Sequence, residues 1–328
     1  MNSKLFPNLF IIGASKTGTS ALNAYLDIHP DVRMGDVKEP CFFVDQSELR
    51  RFWPEMANQP VSNDLGAYLG NFSGGESVRY RGDASTFYAM APSIAGVPSR
   101  IKAAVPDARI IYVVREPLAR TISHYWQSVK AFREKRPIEV ALRENPIFRE
   151  TSNYPLQLAP YLEIFDRAQI HIVVAEELRT RRREVLAEVF EWLGLPMIDF
   201  EEGQLADRHV SPPTSRRERL PGVSAFRSTR LWGRLRGVLP KSLISSLRAA
   251  STTQFNKKKD DELDPKLLAE LRAYFAEQRA SLEGMMGRRI TLWDREPKPV
   301  VEIAPVPRQS FDLGDPAFMA QENLERSA

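Results

Sequence analysis

Two kinds of apolar run alternate along this chain. Short β-rich stretches, clearest in Asn8-Leu-Phe-Ile-Ile12 and Ala108-Arg-Ile-Ile-Tyr-Val-Val114, lack a polar face and read as strands covered on both sides. Strands are predicted at 8–13, 31–34, 79–83, 109–114 and 170–175. Between them apolar residues recur at helical spacing, predicting helices near 19–28, 92–104, 117–133, 155–166, 180–193 and 264–284. Leu267, Leu271, Tyr274 or Phe275, and Leu282 form the apolar stripe of the last one. Such alternation predicts an α/β domain, a central parallel sheet with helices on both faces. Residues 296–328 hold five prolines and little periodicity, and read as an extended or disordered tail.

The first predicted turn carries the most chemistry. Gly13-Ala-Ser-Lys16-Thr-Gly18-Thr19-Ser20 has the glycine spacing of a phosphate-binding loop, G-x-x-x-x-G-K-[ST], but Thr19 stands where that motif has its lysine and Lys16 lies inside the loop. Strand, glycine turn and helix follow one another, so the architecture is a P-loop-like three-layer fold. Thr19 or Ser20 is expected to cap the helix, whose free N–H groups and positive dipole end favour an anion. A second segment repeats the logic. Arg115 ends the strand at 109–114, Glu116-Pro117 starts a helix, and Ser123 lies about two turns along it. An arginine fork at the carboxyl end of a strand, backed by a hydroxyl, suits a second phosphate.

Two phosphate sites without a metal motif resemble the PAPS-dependent sulfotransferases, whose donor is 3′-phosphoadenosine 5′-phosphosulfate. Lys16 to Ser20 resembles the family's 5′-phosphosulfate loop, and Arg115-Glu-Pro-Leu-Ala-Arg-Thr-Ile-Ser123 its 3′-phosphate strand and helix. His29-Pro30, Lys38-Glu-Pro-Cys-Phe-Phe43, Gly82-Asp-Ala-Ser85, Glu176-Glu-Leu178, Phe190-Glu-Trp-Leu-Gly194 and Leu282 to Trp293 match further landmarks in order. The resemblance spans about 5–295, making 1–295 the sulfotransferase domain, and is closest to the carbohydrate branch that includes heparan sulfate enzymes and bacterial relatives.

The resemblance implies roles. Lys16 would stabilise the leaving phosphate, while Ser15, Lys16, Thr17, Gly18, Thr19 and Ser20 would bind the donor's 5′-phosphosulfate. Arg115 and Ser123 would hold the 3′-phosphate, with Arg216 and Arg217 in a loose counterpart of the late basic loop. Glu39 matches the family's glutamate base, and Phe42 and Phe43 beside it are expected to desolvate its carboxylate and raise its pKa. A histidine, His124 or His209, is the other candidate base. None of the four histidines lies at metal-ligand spacing with another or with Cys41, and no metal is expected. Where relatives often have Asn or Asp after the arginine, this chain has Glu116, expected to lower affinity for the 3′-phosphate. With one cysteine, the C-terminal part must be held without the disulfide of extracellular-facing relatives.

Composition, 43% hydrophobic and 27% charged over 328 residues, fits a soluble enzyme with a sizeable core. The single cysteine, a first strand beginning at residue 8 and the lack of any long apolar span make a cytoplasmic location the expectation. Charge is uneven. Twelve Lys or Arg against one acid between Arg216 and Lys259 give a local +11, so the rest of the chain is −7 beneath a total of +4. Phe226, Leu231, Trp232, Leu235, Val238 and Leu239 interleave with arginines there, an amphipathic pattern open to core packing, to an anionic acceptor or nucleotide, or to peripheral membrane contact. No nucleic-acid reader motif accompanies it. The expected activity is sulfuryl transfer from PAPS, releasing PAP, to a hydroxyl or less favourably an amine of a carbohydrate, glycolipid or small-molecule acceptor. A P-loop kinase or NTPase, and a non-enzymatic module binding anionic or membrane surfaces, are the alternatives.

Overall fold

A computed structural model describes residues 6–131, 133–201, 203–206, 214–218, 252–256 and 262–294. Five parallel strands, β1 (Leu9–Gly13), β2 (Val32–Met34), β3 (Tyr80–Ala84), β4 (Arg109–Val114) and β5 (Ile170–Val174), form one sheet in the order β2-β3-β1-β4-β5. Period-two side-chain alternation divides the strands between two cores. Phe10, Ile12, Ile110, Tyr112 and Val114 face one apolar cluster with Ile101, Tyr154, Leu158 and Tyr161, whereas Leu9, Ile11, Ile111 and Val113 face another with Leu22, Leu26, Val189 and Phe190. Helices therefore cover both faces, a three-layer α/β fold. After β3 the chain crosses β1 to build β4, so β1 is where strand order reverses and its carboxyl end opens the crevice where such sheets bind ligands.

A third cluster lies outside the sheet. Helix Pro117–Lys130 packs Leu118, Ile122, Tyr125 and Val129 against Leu263, Leu267, Leu271 and Phe275, the last three from helix Pro265–Met286. Further along that helix Leu282 joins the sheet core with Ile290 and Trp293. Glu177 accepts both Arg288 guanidinium N–H groups at 2.7 Å, and Glu176 accepts the Trp293 indole N–H at 2.9 Å. Apolar packing and these charged bonds hold the C-terminal part in place, while Cys41 is buried elsewhere.

The structure differs from the sequence reading in one predicted helix and adds elements that pattern did not show. The helix predicted at 92–104 begins at Val97, because Gly96, at φ 71°, forms its left-handed cap. Between 46 and 70 lie four unpredicted short helices, Gln46–Phe52, Pro54–Ala57, Pro60–Asn63 and Leu65–Gly70, two of them opened by proline. The described residues of the basic segment lie on strands, β6 (Thr214–Glu218) and β7 (Thr252–Asn256), paired antiparallel, with β6 beside helix Pro117–Lys130. The amphipathic pattern within 219–251, His209 and the 296–328 tail lie outside the described residues. No helix among the described residues is long and apolar enough to cross a membrane.

Phe275→Ala should remove about 3–5 kcal/mol of stability through the cavity it leaves between the two helices. Denaturant unfolding measures this, and a loss below about 1 kcal/mol would contradict the docking of the C-terminal helix.

Candidate active site

The turn after β1 is built by backbone geometry and by long-range bonds. Pairing with β4 extends one residue past the strand, where the Ala14 N–H donates to the Val113 carbonyl at 2.8 Å. At Gly13, where φ is 154°, an added Cβ would lie 3.0 Å from the Tyr112 ring, so backbone conformation and packing both favour glycine. At Gly18 the space is open but φ is 92°, so the demand is conformational. Lys16 is also left-handed, at φ 73°. The Thr17 hydroxyl donates to the Ala14 carbonyl at 2.6 Å and closes the turn. Gly18, rather than Thr19 or Ser20, is the N-cap of helix Thr19–Leu26, and no side chain caps it. The opening N–H groups of that helix thus have no side-chain acceptor and can serve an anion.

Two arginines grip the turn from below. Arg115 Nη1 donates to the Lys16 carbonyl at 3.2 Å, and Arg120 Nε to the Ser15 carbonyl at 2.9 Å. The Tyr154 hydroxyl donates to the Arg115 carbonyl at 2.6 Å and accepts from the Arg115 N–H at 3.1 Å, fixing that backbone. The Ser15 hydroxyl donates to Gln127 Oε1 at 3.0 Å. Ser123, half-buried, lies one turn from both Arg120 and Gln127 and so on the helix face that meets the loop. Glu116 caps its own helix, accepting from the Leu118 N–H at 3.0 Å and the Ala119 N–H at 2.6 Å, with its pKa raised by burial and by nearby Glu176. Its carboxylate is therefore directed at the helix N-terminus, where Asn or Asp would also cap. His124 has its pKa held well below the usual imidazole range by burial, Arg120 and Lys16.

Glu39 approaches from the other side. Its N–H donates to the Ala84 carbonyl at 2.9 Å, which ties the loop after β2 to the end of β3. Glu39 is only 8% exposed; Oε2 accepts from the Thr86 N–H at 2.6 Å and hydroxyl at 3.1 Å, and Oε1 pairs with Lys38. The expectation of an apolar setting made by Phe42 and Phe43 is corrected: Phe42 stacks on Tyr68 with ring centres 4.2 Å apart, and Phe43 packs edge-on to Phe10. Polar partners surround the carboxylate instead. Beneath the loop, buried Asp83 accepts from the hydroxyls of Tyr68 (2.8 Å), Tyr88 (2.7 Å) and Ser85 (2.7 Å), and Ser85 Oγ accepts the Cys41 N–H at 3.0 Å. In the sequence Asp83 is visible only as part of Gly82-Asp-Ala-Ser85. The signal there is an acid flanked by Gly82 and Ala84 in a short predicted strand.

Lys16, Glu39 and Arg115 are thus carried by loops at the carboxyl ends of β1, β2 and β4, around the crevice. Arg216 and Arg217 fall on β6, which runs beside the Arg120 helix; their side chains lie outside the described residues. Among the described residues no three His, Cys, Asp or Glu are grouped to hold a metal ion. The arrangement can bind an anion on the turn, place a cation against it and accept a proton opposite.

Comparison with known proteins agrees with this chemistry. A family model described as the sulfotransferase family matches residues 7–199. Bifunctional heparan sulfate N-deacetylase/N-sulfotransferase 1 of Caenorhabditis elegans is 28% identical over 217 residues, 60% of this chain and 23% of the relative. Heparan sulfate glucosamine 3-O-sulfotransferase 3B1 of Mus musculus is 28% identical over 223 residues, 63% of this chain and 49% of the relative. The chain therefore spans about a quarter to a half of these relatives' length. The crystal structure of a sulfotransferase from Alicyclobacillus acidocaldarius superposes with a TM-score of 0.60 at 26% identity, covering 88% of this chain and 99% of that one.

Burial pushes the Asp83 carboxyl up to about 6, so ionising it costs more in the fold than in the unfolded chain. Its contribution favours the fold at acid pH and is lost as pH rises from about 4 to about 6. Relative to Asp83→Asn, the native chain should lose about 2–3 kcal/mol over that interval and level off above it. Denaturant titrations from acid to neutral pH measure the difference, and a flat one would contradict the buried, acid-stabilising role.

Proposed function

This chain belongs to the sulfotransferase family, and on that premise we propose that it transfers a sulfuryl group from PAPS to a hydroxyl of a carbohydrate acceptor, releasing PAP. The observation that carries the proposal is the convergence of the Lys16 turn, the buried Glu39 carboxylate and Arg115 at one crevice. The donor set fits the nucleotide. Thr17, Gly18, Thr19 and Ser20 offer backbone N–H groups to its 5′-phosphate, and Arg115 with Ser123 offers a fork and a hydroxyl to its 3′-phosphate. Bound there, PAPS supplies the activated sulfuryl group.

The remaining work falls to the chain's own residues. The Lys16 ammonium meets negative charge as it develops on the leaving phosphate oxygen. Glu39 accepts the acceptor's proton, with Thr86 and Lys38 fixing the carboxylate's direction. A positioned base matters most for a hydroxyl, a weak nucleophile until its proton leaves, which favours O-transfer over N-transfer. Relatives named for heparan sulfate glucosamine support a sugar as the acceptor.

Labelled PAPS incubated with a panel of saccharide acceptors tests the proposal. Lys16→Ala should lower kcat about 10²–10³-fold in a folded protein. Glu39→Gln should lower it about 10²–10⁴-fold and leave PAP affinity unchanged. Near-native turnover in either variant would remove that residue from its role, and transfer to no saccharide would remove the acceptor class.

A further inference from the structure

Arg120 heads the fully buried side chains among the described residues, at 1% exposure, yet the hydrogen-bond partners of its guanidinium there are all neutral. It donates from Nε to the Ser15 carbonyl at 2.9 Å and from Nη1 to the hydroxyls of Thr151 and Ser152, the latter at 3.1 Å. Among the described residues no carboxylate lies within ion-pair distance of it. A buried guanidinium without a counter-charge is strongly unfavourable, and Arg115 adds another positive charge nearby. Burial lowers the pKa of Arg120, partly opposed by Tyr154 and Tyr112 and reinforced by Arg115.

The direction of its bond gives the charge a purpose. In a trans peptide the carbonyl and the following N–H point opposite ways. Drawing the Ser15 carbonyl down to Arg120 therefore turns the Lys16 N–H up, and drawing the Lys16 carbonyl to Arg115 does the same for the Thr17 N–H. Consecutive N–H groups facing one way make an anion-binding nest. We infer that Arg120 is a positioning residue of the donor site, orienting the Lys16 turn through the Ser15 carbonyl and finding its missing counter-charge in the donor's phosphates. The inference rests on the PAPS reading proposed above.

Stability and binding should then separate. In the full chain, Arg120→Met, similar in length and uncharged, should keep the ligand-free thermal midpoint within about 4 °C of native, because losing an uncompensated charge offsets the lost bonds. Its PAP dissociation constant by calorimetry should rise about ten- to a hundredfold, and kcat at saturating PAPS should also fall because Lys16 is misplaced. Arg120→Lys, which keeps the charge and can reach one acceptor, should recover much of both. Binding and kcat within about twofold of native in Arg120→Met would overturn the inference while leaving the PAPS reading intact. So would an Arg120→Lys protein that folds but binds no better than Arg120→Met. If Arg120→Met does not fold, native affinity and kcat in Arg120→Lys, which cannot reproduce the fork, overturn it, and an intermediate loss of both supports it. A native chain that takes up no PAP would overturn the PAPS reading itself and this inference with it.

Discussion

The architecture depends on how the turn after β1 is held. Two consecutive carbonyls, those of Ser15 and Lys16, are each tied to an arginine from the far side of the β1–β4 pair, across 105 and 99 residues of chain. Left to itself, a turn with Lys16 and Gly18 in the left-handed region would sample other conformations, since a non-glycine residue there is disfavoured by sterics. The arginine bonds select one. They also couple the two halves of the sheet, because the turn belongs to the first strand and its restraints to the fourth. Tyr154 fixes the Arg115 backbone, and the Glu116 cap fixes the start of the helix that carries Arg120, so each restraint is itself restrained.

The opposite wall follows a different principle. Glu39 and Cys41 both have positive φ, an unusual backbone for these residues, and the loop that contains them is fastened to β3 by the Ala84 carbonyl and by Ser85. Ser85 is in turn held by Asp83, whose two phenol donors come from Tyr68 and Tyr88. A fully satisfied polar cluster inside an aromatic core is specific in geometry where apolar packing alone is tolerant. One side of the crevice is thus set by cations on carbonyls, the other by a buried carboxyl on hydroxyls.

Much of the fold is legible in the sequence for simple reasons. Strands covered on both faces have no polar side, so β1 and β4 stand out as unbroken apolar runs, and the stripe Leu267, Leu271, Phe275, Leu282 is a helix face in contact with two cores. The 46–70 helices are not legible, because Pro54 and Pro60 cut them into pieces too short to show a period. Nor are β6 and β7, whose Thr- and charge-rich sequences lack alternation and whose partners lie on opposite sides of residues 219–251. At the site, Gly13, Lys16, Gly18, Glu39 and Arg115 are visible as motifs, but their partners are not. Phe42 and Phe43 are near Glu39 in sequence yet turn into the aromatic core, while Thr86, distant in sequence, meets its carboxylate. Contacts across a parallel sheet come from long crossovers, and local pattern carries no record of them.

The most direct measurement is a crystal structure of the chain soaked with PAP. The account predicts the 5′-phosphate on the N–H groups of the turn at 16–20, with the Lys16 ammonium in hydrogen-bond reach and the 3′-phosphate on Arg115. A nucleotide bound elsewhere, or one whose 3′-phosphate faces Lys16, would contradict it.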